Sequence, residues 1–177
     1  MIPKLFDEIK RIAELEEISI TTTNQEKFIQ EFQDRVNWIK ISYEQTLSED
    51  FMREFQAKVY WYGISSYQTL SEDFINEFQN KVNWSDISYC QTLSEDFIRK
   101  FQNRVDWEWI SIKQTLSEDF VREFQDKVKW MEISCKQTLS ESFIEEFQDR
   151  VNWIWIKKKY GFTRDSLNKP DNDYKEM

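Results

Sequence analysis

Thr92 to Gln114 reads TLSEDFIRKFQNRVDWEWISIKQ, and this 23-residue stretch is written again and again along the chain. Trp38, Trp61, Trp84, Trp107, Trp130 and Trp153 are each 23 residues apart. Two phenylalanine rows keep the same beat: Phe28, Phe51, Phe74, Phe97, Phe120 and Phe143, then Phe32, Phe55, Phe78, Phe101, Phe124 and Phe147. A fixed period of this size signals stacked repeats, each unable to bury its apolar face alone.

Within the quoted stretch, Ser94 stands where a helix N-cap belongs, with Glu95 and Asp96 in the first turn facing the positive end of the helix dipole. Leu93 and Ile98 have the spacing of a hydrophobic staple. Phe97, Ile98, Phe101 and Val105 fall on one helical face, which predicts a first helix of about 11 or 12 residues. Asp106 then caps a second helix of about seven or eight residues, with Asn37, Asn83 and Asn152 at the equivalent place. Trp107 and Ile110 share its buried face. Ser111 beside them is small enough to let the first helix approach. Helices this short are marginal alone, so stacking must stabilise them.

The expected fold is all-α, an αα-hairpin solenoid. It is a single array over residues 1–167, with a degenerate cap at 1–22, six repeats over 23–160 and a partial closing unit at 161–167; a polar tail follows at 168–177. In the cap, Leu5, Phe6, Ile9, Ala13, Leu15, Ile18 and Ser19 fall on the core positions, with altered chemistry suited to an end that faces water. Only two glycines and two prolines occur in 177 residues. That scarcity argues against hairpins, propellers and phosphate-cradling loops.

Two glutamine rows run through the repeats, one from Gln33 to Gln148 and one from Gln45 to Gln137. Their recurrence points to side-chain bonds between layers, because buried polar groups need partners. The recurring pairs Glu49-Asp50, Glu72-Asp73, Glu95-Asp96 and Glu118-Asp119 read as solvated helix starts, not as acid–base catalysts.

The string TLSEDFIREFQDKVNWxxIS, nearly reproduced at Thr46, Thr69, Thr92 and Thr115, resembles the short repeats of uncharacterised giant-DNA-virus proteins. The resemblance covers roughly residues 5–167. It implies a repeat type, and for a viral protein the host-cell cytoplasm, but no catalytic or binding residues.

The chain contains no histidine, which removes imidazole bases, Ser-His and Cys-His pairs and most zinc ligand sets. We therefore expect no enzyme, no metal and no cofactor. A formal charge of −9 disfavours nucleic acid as a partner. No apolar run approaches the ~20 residues that span a bilayer, so no membrane role is expected and the chain reads as cytoplasmic. Cys90 and Cys135 are about two repeats apart, too far for a disulfide, and read as free thiols. Lys157-Lys158-Lys159 complements the C-terminal dipole of the last short helix.

The positions just after each period-locked tryptophan vary while their frame is held, and in repeat proteins such positions often line the binding surface. The sequence thus predicts a non-catalytic protein–protein interaction scaffold that takes a peptide or protein along its second-helix face. The candidate binding residues are Tyr62, Tyr67, Tyr89, Trp109 and Trp155. Trp109 and Trp155 are two residues past a locked tryptophan, about 200° around the helix, and should point away from the core. The rival expectation is a structural or self-assembly protein whose arrays pair through their ends or faces. A binder would be a monomer or only weakly self-associating.

Overall fold

The computed structural model describes residues 22–161 and 163–167. The degenerate cap and the polar tail lie outside the described residues, as does Phe162. Among the described residues every element is helical. The chain divides into two compact units at a repeat boundary, unit 1 ending at Gln91 and unit 2 beginning at Thr92.

Unit 1 holds α1 (Thr22–Glu31), α2 (Trp38–Glu44), α3 (Glu49–Glu54), α4 (Trp61–Tyr67), α5 (Glu72–Glu77) and α6 (Trp84–Cys90). Unit 2 holds α7 (Glu95–Lys100), α8 (Trp107–Lys113), α9 (Glu118–Glu123), α10 (Trp130–Lys136), α11 (Glu141–Glu146), α12 (Trp153–Tyr160) and α13 (Arg164–Leu167). Each is an αα-hairpin solenoid. The second helices of successive layers pack side by side, α2 on α4 and α4 on α6 in unit 1, α8 on α10 and α10 on α12 in unit 2.

The first helices start as the sequence predicts. Ser48, Ser71, Ser94, Ser117 and Ser140 are N-caps with φ between −71° and −74°, and each hydroxyl accepts the N–H three residues on. They stop early. The expected 11 or 12 residues are six, because the helix ends at the second phenylalanine, where φ is −101° to −109° and ψ is 25° to 30°. One further turn closes on that residue: the N–H groups of Arg104 and Val105 both donate to the Phe101 carbonyl, at 2.8 and 3.1 Å.

No glycine or proline causes this break. The two groups needed to carry this turn on into the second helix have other partners. The Gln102 carbonyl, which a continuous helix would give to Asp106 N–H, accepts the Trp107 indole N–H at 2.9 Å. The same bond recurs from Trp38 to Gln33, Trp61 to Gln56, Trp130 to Gln125 and Trp153 to Gln148. The N–H at the second-helix cap goes to a serine of the preceding layer: Tyr60 to Ser42, Asn83 to Ser65, Lys129 to Ser111 and Asn152 to Ser134, at 2.8 to 2.9 Å.

The core is made of the leucine, phenylalanine, isoleucine and valine rows. Phe74, Phe120 and Phe143 are fully buried, as are Ile64, Ile87, Ile110 and Ile133. The locked tryptophans are not core in the same sense. All six are half-buried. Trp107 lies against Phe120 and Phe124 of the next layer, with centroids 6.2 and 5.0 Å away. Its outer side carries Lys127 Nζ, 5.6 Å from the ring centre. A flat indole at the margin of a thin layer shields the phenylalanines while its own edge stays wet, which is why Trp107, expected on a buried face, is only half-buried.

Candidate functional site

The period-locked polar residues are consumed by contacts between layers. Gln68 shows the pattern: its amide oxygen accepts Leu47 N–H at 3.0 Å, while its amide nitrogen donates to the Ser42 and Gln45 carbonyls at 3.1 and 2.7 Å. Gln91 and Gln137 repeat the set on their own preceding layers. Those serines also donate to the tryptophan carbonyl four residues back, so each hydroxyl bridges two layers. The structural reading of the second glutamine row is therefore the one observed. In the first row, Gln33, Gln56 and Gln102 accept from Lys58, Lys81 and Lys127 of the next layer.

The Glu-Asp pairs divide their labour. The aspartates are solvated, with Asp50, Asp96 and Asp119 side chains 93% or more exposed. The glutamates are not merely solvated helix starts. Glu49, Glu95 and Glu118 accept the N-cap N–H of Ser71, Ser117 and Ser140 in the next layer, at 2.5 to 2.7 Å. Burial alone would raise the Glu49 carboxyl, but the Ser71 backbone and hydroxyl and the Arg53 guanidinium together hold it below the usual glutamate range. Arg53, Arg99 and Arg122 each reach a glutamate of the next layer, at 2.7 to 2.8 Å. Each guanidinium also lies 5.0 to 5.2 Å from a phenylalanine ring centre of that layer.

What remains outside these ladders is the outward side of the second helices, and in unit 1 it is aromatic. Tyr43 is ringed by Tyr60, Tyr62 and Tyr67, with centroids 5.9, 6.4 and 5.1 Å from its own. Tyr60 and Tyr62 also touch each other, at 6.2 Å. Tyr43 is half-buried, while Tyr60, Tyr62 and Tyr67 are 41%, 45% and 64% exposed. The Tyr43 phenol is raised above its ordinary range, first by burial and then by the neighbouring tyrosines and Asp86.

The structure thus brings Tyr62 and Tyr67 together and places Tyr89 exposed on α6. Trp109 and Trp155 belong to unit 2, and neither points away from its layer. Both are half-buried. Gly63 occupies the same repeat position in unit 1, and a Cβ built there would lie 3.1 Å from Ser42 Cβ, so within that unit the position looks toward the preceding layer. Rotation of about 200° within one helix does not expose a side chain when a neighbouring helix packs on that flank. Lys158 Nζ sits 4.7 Å from the Trp155 ring centre.

Sequence reasoning left Tyr43 and Tyr60 out of the site. A signal for Tyr60 is present, since it stands where other repeats carry Asn37, Asn83, Asp106 and Asn152, with Lys129 the one other non-capping residue at this place among the described repeats. Those four side chains cap their helices, and Tyr60 makes no cap bond. Giving up such a cap costs about 0.5–2 kcal/mol. A residue kept there against that cost is a candidate for another role.

Unit 2 has a different feature, an open cleft of about 380 Å³ lined by Lys113, Thr115, Lys136 and Thr138 above Gln114 and Gln137. It lies at the C-terminal ends of α8 and α10, where lysines complement the helix dipoles. Neither Cys90 nor Cys135 forms a disulfide among the described residues. Among the described residues no cluster of potential ligands could hold a metal, and no helix is long and apolar enough to cross a membrane. No family model, curated protein or solved structure matches the chain.

Proposed function

We propose that the protein is a non-catalytic interaction scaffold that binds a peptide or protein along its second-helix face. The observation that carries the reading is the tyrosine patch of Tyr43, Tyr60, Tyr62 and Tyr67. These rings lie on the outward side of the second helices of unit 1, outside the interlayer ladders, and three of them are well exposed. Tyrosine suits such a surface because it offers a large, rigid contact area with a polar tip and is enriched at interface hot spots.

The test compares affinity capture from source-cell extract by the wild type and by a Tyr62→Ser/Tyr67→Ser variant, read by mass spectrometry. The expected result is a partner held by the first and lost by the second, with unchanged helical signal. Identical captured sets would remove this face from the site. Light scattering across concentration separates the reading from its rival: a binder stays monomeric or nearly so, whereas a self-assembling array grows in mass.

A further inference from the structure

The four tyrosines differ from several of the other aromatic rings in one respect. Elsewhere the chain supplies its own cations: Arg53 lies over Phe74, Lys58 over Trp38, Lys81 over Trp61 and Arg122 over Phe143. Among the described residues no cation lies over Tyr43, Tyr60, Tyr62 or Tyr67, and none of their hydroxyls has a hydrogen-bond partner. The nearby cation on α2, Lys40, is paired with Glu44 at 3.5 Å.

Asp86, in the first turn of α6, is the carboxylate whose charge acts on the Tyr43 phenol, after burial and the neighbouring tyrosines. Its carboxylate is tied to no lysine or arginine among the described residues, and its Oδ2 is buried without a hydrogen-bond partner. A buried carboxylate oxygen left in this way is costly, and in folded proteins such groups are nearly always compensated. Aromatic faces, open phenol oxygens and an uncompensated negative charge together favour one class of ligand, a cation that can stack and donate hydrogen bonds. Guanidinium meets all three requirements: it is planar, stacks on aromatic faces and carries five donors. The chain itself uses this chemistry at Arg53, which combines a phenylalanine face with Asp50, Glu49 and Glu77 at its edges.

We infer that the Tyr43, Tyr60, Tyr62 and Tyr67 patch, with Asp86 at its side, receives an arginine side chain of a partner polypeptide. The inference rests on the scaffold reading and names the chemistry of what that face takes. The chain's charge of −9 draws a cationic segment in the same direction. Arginine stacks on the exposed faces of Tyr62 and Tyr67, its N–H groups meet the phenol oxygens, and Asp86 supplies the long-range attraction.

The experiment follows ring-labelled tyrosine resonances by NMR while blocked Gly-Arg-Gly-Arg-Gly, its lysine counterpart and its neutral citrulline counterpart are titrated in turn. The arginine peptide should shift the Tyr43, Tyr60, Tyr62 and Tyr67 signals saturably, and the citrulline peptide should leave them in place. Asp86→Asn and Tyr67→Leu, both verified by unchanged melting, should each weaken binding about three- to tenfold, the range a partly exposed cation–π contact supplies. Equal shifts with citrulline, equal affinity for lysine, or full binding by both variants would overturn the inference. If the arginine peptide fails while Tyr62→Ser/Tyr67→Ser still loses a captured partner, the cationic ligand is refuted and the scaffold stands. If the arginine peptide binds but that variant loses no partner, the scaffold reading fails instead.

Discussion

Replacing Gln68 by methionine tests whether the interlayer amide ladder holds the layers together. Methionine matches glutamine in length and nearly in volume, so little cavity forms and the change isolates the hydrogen bonds. Three backbone groups lose their partner: Leu47 N–H and the Ser42 and Gln45 carbonyls. Leu47 is 5% exposed and Ser42 is fully buried, so water cannot easily replace the amide there. Gln45 is half-buried, and its carbonyl can be wetted. Two stranded groups at about 1–3 kcal/mol each give a loss of about 2–6 kcal/mol. That is a large share of the stability of an ordinary domain, about 5–15 kcal/mol.

In a repeat stack the damage begins locally, so two readouts are needed. Urea unfolding followed by far-ultraviolet circular dichroism reports the total. Hydrogen exchange at the Leu47 amide reports the layer, and protection there should collapse first. Gln56→Met is the control, because that side chain is exposed and accepts only from Lys81. It should change stability by no more than about 0.5 kcal/mol. If Gln68→Met destabilises no more than Gln56→Met, the ladder is a consequence of stacking and not a cause.

Two further outcomes follow from the layer chemistry. Phe120→Ala should cost about 3–5 kcal/mol, since the ring is fully buried, and Trp107→Ala distinctly less, about 2–3 kcal/mol, since the indole is half-buried; equal losses in urea melts would contradict the margin position of the tryptophans. The Glu49 carboxyl is held below its ordinary range, so its contribution to stability is present above the unfolded glutamate value of roughly 4.3 and fades as pH falls through the lower folded value. Glu49→Gln should be less stable than the wild type at neutral pH, and the two should converge in acid; a constant gap across pH would show that the carboxylate charge is not what matters.

Much of this architecture is legible in the sequence because the repeat compares itself. Ser94 with Leu93 and Ile98, and Asp106 before Trp107, are local signals, and local rules find them. The early stop of the first helix is different. What separates it from the second helix is the Trp107 indole reaching the Gln102 carbonyl, and in other layers a serine such as Ser111 serving the next layer's cap N–H. Periodicity sees Phe97, Phe101 and Val105 on one face and extends the helix through them. It has no term for a carbonyl that prefers a side chain. The candidate site was legible in the same partial way. Tyr62 and Tyr67 vary within a fixed frame and could be selected by that alone. Tyr43 joins them only through packing of α2 on α4, and Trp109 drops from the exposed set because its side chain is half-buried, which rotation about one helix does not reveal.

The last full layer shows that bonds, not residue identities, are what the ladder demands. Tyr160 stands where the period calls for glutamine. Its hydroxyl accepts Leu139 N–H at 2.8 Å, the bond that the amide oxygens of Gln68, Gln91 and Gln137 accept in their layers. The donor half passes to the preceding residue, since Lys159 Nζ donates to the Gln137 carbonyl. Two side chains reproduce what one amide does elsewhere, and Gly161 then ends α12 with φ at 84°. The expected role of Lys159 in complementing the helix dipole is therefore joined by a specific interlayer bond. A frame that tolerates such an exchange at fixed positions can equally leave its outward positions to change without loss of fold. The tyrosine patch occupies such positions in unit 1, and at Tyr60 it extends to a cap that four other layers keep for the helix and the Lys129 layer also forgoes. Substituting Tyr60 by asparagine should thus stabilise the layer through a restored cap while weakening whatever the patch binds, which sets stability and recognition in opposition at a single residue.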